Sequence, residues 1–158
     1  MIKIQPPKLE HVSAFTVKGI GVRTINTDES NPKTAKIPGL WADFFNDNIA
    51  ASIPEQKPNS PVYGVYNDYE SNVSGHYSIT AGVGVIEDDS PSDFHAVSIL
   101  EGGYLVFTHA GTMPTVVIEL WQHIWQFFKD ETGYTRQYAS DFEVYQDGDN
   151  VSVYIGVI

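Results

Sequence analysis

Apolar residues recur along this chain with two different periods, and the change from one period to the other marks its elements. Val117, Leu120, Trp121, Ile124 and Phe128 follow one another at three- and four-residue steps, which gathers them on one face of an amphipathic helix. Thr112 and Pro114 supply start signals for it and Gly133 a stop. A similar pattern runs through Ile37, Leu40, Trp41, Phe44 and Phe45, with Pro38 and Gly39 in its opening turn. Elsewhere the period falls to two or the apolar run is short, which predicts strands. They cover His11–Val22, Val62–Asp68, Gly82–Ile86, Phe94–Leu100, Gly103–Ala110, Asp141–Asp147 and Tyr154–Ile158. Gln146 to Asn150 is strong turn chemistry and joins the last pair as a hairpin.

The order of these elements repeats. Leu40-Trp41 with Phe44 in the first half answers Leu120-Trp121 with Ile124 in the second. Val62-Tyr63-Gly64-Val65-Tyr66-Asn67-Asp68 answers Asp141-Phe142-Glu143-Val144-Tyr145-Gln146-Asp147, and each half closes on a Gly-Val-Ile strand. The unit is strand, helix, strand, strand, made twice. This predicts a single α+β domain over 1–158, with pseudo-repeats at about 11–86 and 94–158 joined through the acidic turn Glu87–Pro91. The two units are expected to share one curved antiparallel sheet, with both main helices on one face.

A duplicated fold leaves a cleft on its axis, and concave sites with a few polar groups are where small molecules bind. Aligning the two Val-Tyr pairs sets Tyr66 against Tyr145 and Gly64 against Glu143. Because strand side chains alternate, Glu143 and Tyr145 share a face, as do Gly64 and Tyr66. If that face lies under the helices, Glu143 is a buried carboxylate among Tyr66, Tyr145, Trp41 and Trp121. Such a charge without a partner costs several kcal/mol, roughly, and a guest cation is one way to offset it, with aromatic faces adding cation–π attraction. The plainer alternative stays open here: a strand glutamate is more often solvated, and buried tryptophans are more often core.

Charge and composition narrow the functions. Twenty Asp and Glu against nine Lys and Arg give a net charge of -11, which repels nucleic-acid backbones and attracts cations. The chain contains no cysteine, so disulfides and thiolate chemistry are excluded. No membrane-length apolar run or secretion signal is present, and a cytoplasmic location is expected. The five histidines lack metal-ligand spacing and no HExxH occurs, so neither metal nor cofactor is expected. His109 lies on the same predicted strand face as Phe107 and could approach the cleft. Gly19-x-Gly21 and Gly82-x-Gly84 lack the third glycine of a dinucleotide fingerprint and read as closely packed strands. Asn72-Val73-Ser74 and Asn150-Val151-Ser152 match glycosylation sequons, which carry no weight without secretion.

Four stretches stand in order along nearly the whole chain: Leu40-Trp41-x-x-Phe44, Tyr63-Gly64-Val65-Tyr66-x-Asp68-Tyr69, Tyr104-x-Val106-Phe107-x-His109-x-Gly111 and Asp141-Phe142-Glu143-x-Tyr145. Together they resemble the GyrI-like family, the effector-binding domain of AraC- and MerR-type multidrug regulators. The resemblance implies tandem SHS2-type units around a central cleft that binds small cationic or amphipathic molecules. It implies that Glu143 is the pocket carboxylate, with Tyr145, Tyr66, Trp41, Trp121, Phe107 and Tyr63 completing the ligand-binding set. No helix-turn-helix segment flanks the domain, so a direct transcriptional role is not expected. The chain resembles the free-standing members instead, including drug-binding proteins carried on mobile gene cassettes, which could associate with a separate regulator or target protein. Two alternatives come with the family. One is a hydrolase of strained xenobiotics with Glu143 as base, Tyr145 as donor and Trp41 in the pocket wall; the other is a protein-interaction module of gyrase-inhibitor type.

Overall fold

The computed structural model describes residues 4–71, 74–86, 94–113, 115–130, 133–145 and 150–158. The link at Glu87–Pro91, the helix-start residue Pro114, most of the turn beginning at Gln146 and two residues of the first sequon lie outside them. Among these residues eight strands form one antiparallel sheet: β1 (Lys8–Val12), β2 (Phe15–Ile25), β3 (Val62–Asn67), β4 (His76–Val85), β5 (His95–Ile99), β6 (Gly102–Ala110), β7 (Arg136–Tyr145) and β8 (Asn150–Val157). The helices are α1 (Asn26–Glu29), α2 (Ile37–Asn46), α3 (Ile49–Ser52) and α4 (Thr115–Lys129). The two long ones, α2 and α4, are those the apolar periodicity marks, and Pro38 sits in the first turn of α2. The fold class is therefore α+β with a single curved sheet.

One predicted strand divides. His11–Val22 breaks at Ser13–Ala14, because its two parts belong to opposite ends of the sheet. The strand order is β1-β6-β8-β7-β3-β4-β2-β5. β1 and β2 are thus six strand spacings apart, about 29 Å in a flat sheet, yet a two-residue link spans no more than about 11 Å. β5 and β6 face the same constraint across Leu100–Glu101. Only a sheet curled until its ends approach one another satisfies both links.

Contacts across the inner face agree with this curl. Phe15 of β2 meets Phe142 of β7 edge-on at 5.6 Å, although β3 and β4 separate their strands. The Tyr104 hydroxyl of β6 donates to the Leu100 carbonyl just beyond β5, at 2.6 Å. Val17, Val65, Val97, Ile99, Tyr104 and Phe142 form this inner core. At Gly19 and Gly82 of the β2–β4 pair, a Cβ would run into the partner's backbone, so only glycine permits the approach.

The outer face carries the long helices. Helix α4 lays Val116, Leu120 and Ile124 on Leu105, Phe107, Val151, Val153 and Ile155. Helix α2 lays Leu40 and Phe44 on Tyr66, Tyr77, Ile79 and Ala81. Between these two cores runs the seam where β3 meets β7. Among the described residues no helix is long and apolar enough to cross a membrane.

Candidate functional site: a carboxylate under an aromatic seam

β3 and β7 pair so that Gly64 stands directly opposite Glu143. The alternation of β7 turns Phe142 and Val144 to the inner face and Asp141, Glu143 and Tyr145 outward. Glu143 is 2% exposed. Its Oε2 accepts from the Tyr66 hydroxyl at 2.8 Å and from the Trp121 indole N–H at 2.7 Å, and its Oε1 accepts from the Tyr145 hydroxyl at 2.7 Å. All three donors are neutral. Among the described residues no lysine or arginine forms an ion pair with it.

Burial pushes the Glu143 carboxyl above the usual carboxylate range, and the bonds from Trp121, Tyr145 and Tyr66 only partly counter that rise. The same burial, with the Glu143 charge beside them, pushes the Tyr66 and Tyr145 hydroxyls well up, so both remain donors. Around the carboxyl the rings meet one another: Tyr66 and Trp121 at 5.1 Å, and Trp41 and Tyr145 at 5.4 Å. Trp41 also stacks on Phe45, which is 64% exposed. Aromatic surface therefore continues from the carboxyl to solvent along α2.

Gly64 makes room for this. A Cβ there would lie 2.6 Å from Glu143 Oε1 and 3.1 Å from the Trp41 ring. Glu143 is held by three hydrogen bonds and cannot simply swing away. We expect Gly64→Ala to destabilise the chain by about 1–3 kcal/mol, the range for overpacking, as read by urea unfolding. An unchanged midpoint would show that the seam has slack.

The site differs from the expectation of an open central cleft, because the side chains close over the carboxyl. Hollows of about 500 Å³, between β2 and α2, and of about 380 Å³, on the inner face, are lined by other residues. The physical reason is the cost of a bare buried carboxylate, which nearby phenol and indole donors relieve. Five of the expected ligand-binding residues, Glu143, Tyr145, Tyr66, Trp41 and Trp121, do come together. Two do not. Tyr63 neighbours Gly64 and so points to the inner face, against Phe15 and Phe142. Phe107 is fully buried beneath α4, packed on Phe127 at 5.2 Å. His109 lies 3.9 Å from Glu119 and away from the seam. Oε2 of Glu143 accepts two hydrogen bonds and Oε1 one, which leaves one lone-pair position of the carboxylate on Oε1. Among the described residues no cluster of His, Asp and Glu could hold a metal.

A second buried carboxylate lies two residues away and is treated differently. Asp141 accepts from Arg136 Nη2 at 2.8 Å, from the Gly156 N–H at 2.8 Å and from the Tyr69 hydroxyl. A register shift between Arg136 and Asp141 allows this, with Tyr138 at φ 54° and its ring 4.3 Å from the guanidinium. The sequence reading missed this group. Its one available signal was that Asp141 shares the outer face with Glu143.

Comparison with known proteins follows the same outline. YobU of Bacillus subtilis (strain 168), whose name describes it as a transcriptional regulator protein, is 26% identical over 139 residues, covering 87% of this chain and 84% of its own. The integron cassette protein VCH_CASS2, from the mobile metagenome of Vibrio cholerae, is 35% identical with a TM-score of 0.85, covering 98% of this chain and 97% of its own. SAV2435, solved with tetraphenylphosphonium bound, shares the fold at 18% identity and a TM-score of 0.77, over 98% of this chain and 94% of its own. The family model for integron-associated effector binding proteins matches residues 8–157. The chain belongs to that family.

Proposed function

We propose that this chain binds bulky organic cations at the seam between α2 and α4, with Glu143 as the counter-charge. The observation that carries the proposal is a carboxyl 2% exposed whose three partners are all neutral. An ion in a low-dielectric site is strongly disfavoured unless it is paired, and here the polypeptide supplies hydrogen bonds without supplying positive charge. A guest cation would complete the pair. Trp41, Trp121 and Tyr145 would receive its apolar body, each exposed aromatic face adding about 0.5–2 kcal/mol. Entry requires the rings to part so that the guest can reach the carboxyl. Membership of an effector-binding family and the tetraphenylphosphonium bound to SAV2435 support this reading. The net charge of -11 raises the local concentration of such guests.

The raised Glu143 pKa gives the proposal a pH signature. A bound cation favours the ionised carboxylate, so binding expels the proton that the unliganded site holds at low pH. Tetraphenylphosphonium has no proton of its own to lose. Its affinity should therefore climb as pH rises from the usual carboxylate range, by up to about tenfold per unit, and level off above the raised pKa of the unliganded site. Calorimetric titration in buffers of different ionisation enthalpy reads the released proton directly. A pH-independent affinity with no proton released would sink the assignment to Glu143.

A further inference from the structure

The inner face of the curled sheet is not filled evenly. Toward one end Tyr104 closes it, its hydroxyl held by the Leu100 carbonyl and 2.9 Å from Ser140 Oγ. Beside it a hollow of about 380 Å³ remains, walled by Phe15, Tyr63, Phe142 and Tyr154 and rimmed by Glu10. The mouth of a curled sheet is a common place for small molecules, and this volume lies within the range of about 300–1,000 Å³ they occupy.

We propose that this hollow is a second small-molecule site, independent of Glu143, that takes a flat aromatic amine with its ring among these aromatic walls and its ammonium at Glu10. The walls hold one another in place. Phe142 and Tyr154 stack at 4.5 Å with planes 11° apart, and Phe15 lies 5.3 Å from Tyr63 and 5.6 Å from Phe142. A preformed aromatic surface receives a flat ring with little loss of side-chain freedom.

The polar atoms select the sign of the guest. Burial raises the Tyr63 and Tyr154 hydroxyls, and the Glu10 charge acts on Tyr154 as well, so these groups stay as neutral phenols near one carboxylate. Phenol and carboxylate oxygens can all accept from an ammonium. His11, the other polar group on the rim, is drawn toward Glu101 at 3.7 Å. Lys57 Nζ already lies 5.5 Å from the Phe15 ring centre, so the guest's ammonium belongs at Glu10 and not over Phe15. One strand divides the two sites, because Phe142 and Val144 line this one and Glu143 between them faces the other way.

The test is a calorimetric titration of 2-naphthylmethylammonium into the wild type, Glu143→Gln, and Glu143→Gln with Glu10→Gln added. In the Glu143→Gln background, which removes the counter-charge of the seam, we expect the amine still to bind, and adding Glu10→Gln to weaken that binding about fivefold, the effect of a partly solvated ion pair. The uncharged analogue 2-naphthylmethanol should lose affinity for Glu143→Gln by a similar factor. The proposal is overturned by undetectable binding at millimolar amine, by equal affinity for Glu143→Gln with and without Glu10→Gln, or by loss of binding in Glu143→Gln. The last outcome would place the amine in the seam. Failure of the Glu143 assignment leaves the comparison with Glu10→Gln intact.

Discussion

Glu143→Gln is expected to weaken tetraphenylphosphonium binding by about 2–5 kcal/mol, the cost of removing one partner of a buried charge pair, while leaving the unliganded chain at least as stable at pH 7. Glutamine nearly matches the shape of glutamate. With its carbonyl in place of Oε2 it still accepts from Tyr66 and Trp121, and its amide can donate to the Tyr145 oxygen. What disappears is the charge. The sign of the stability effect follows from the raised carboxyl. Between the unfolded pKa and the higher folded one, the native state holds the proton that the unfolded state releases, so stability falls as pH rises through that window. Glutamine has no such loss. Urea unfolding at pH 4.5 and pH 7 should show a smaller decline for the variant. A variant that binds tetraphenylphosphonium as tightly as the wild type would remove Glu143 from the recognition mechanism.

Arg136→Met should have the opposite character, destabilising the chain by about 3–5 kcal/mol, because it strands a charge in the interior. Asp141 is fully buried and Arg136 is 9% exposed. Without the guanidinium, the carboxylate keeps only the Tyr69 hydroxyl and the Gly156 N–H. Adding Asp141→Asn in the Arg136→Met background should recover part of the loss, since an amide carries no charge to leave unpaired. A loss below about 1 kcal/mol, typical of a surface pair, would show that solvent reaches Asp141. The two carboxyls share one strand and one face. Among the described residues Asp141 is paired with an arginine and Glu143 with no lysine or arginine, and the proposed role of Glu143 rests on that contrast.

Much of this architecture was legible because period and alternation are local properties. The three- and four-residue recurrence through Leu120 and Ile124 locates α4, and the alternation of β7 puts Glu143 on the same face as Tyr145. Alternation alone also turns Tyr63 away from Gly64; it entered the expected set through family resemblance and not through its strand position. Other features depend on distant pairing, which leaves little local trace. The apolar character of His11–Val22 runs through Ser13–Ala14 without a break signal, although the two parts pair with different ends of the sheet. Phe107 could be placed on the correct face, but only packing shows it beneath Phe127 instead of beside the carboxyl. The closure over Glu143 is likewise a matter of how three side chains from β3, α4 and β7 satisfy one group.

The pairing of β1 with the remote β6 has a consequence for how this chain is made. β1 finds its partner β6 in the register Lys8 to Val106, nearly a hundred residues downstream. A nascent polypeptide emerging from the ribosome must therefore keep its first strand unsatisfied until most of the chain exists, and pairing of such remote segments is slow. Severed halves, expressed separately, should each present raw strand edges and recover the native sheet only on mixing.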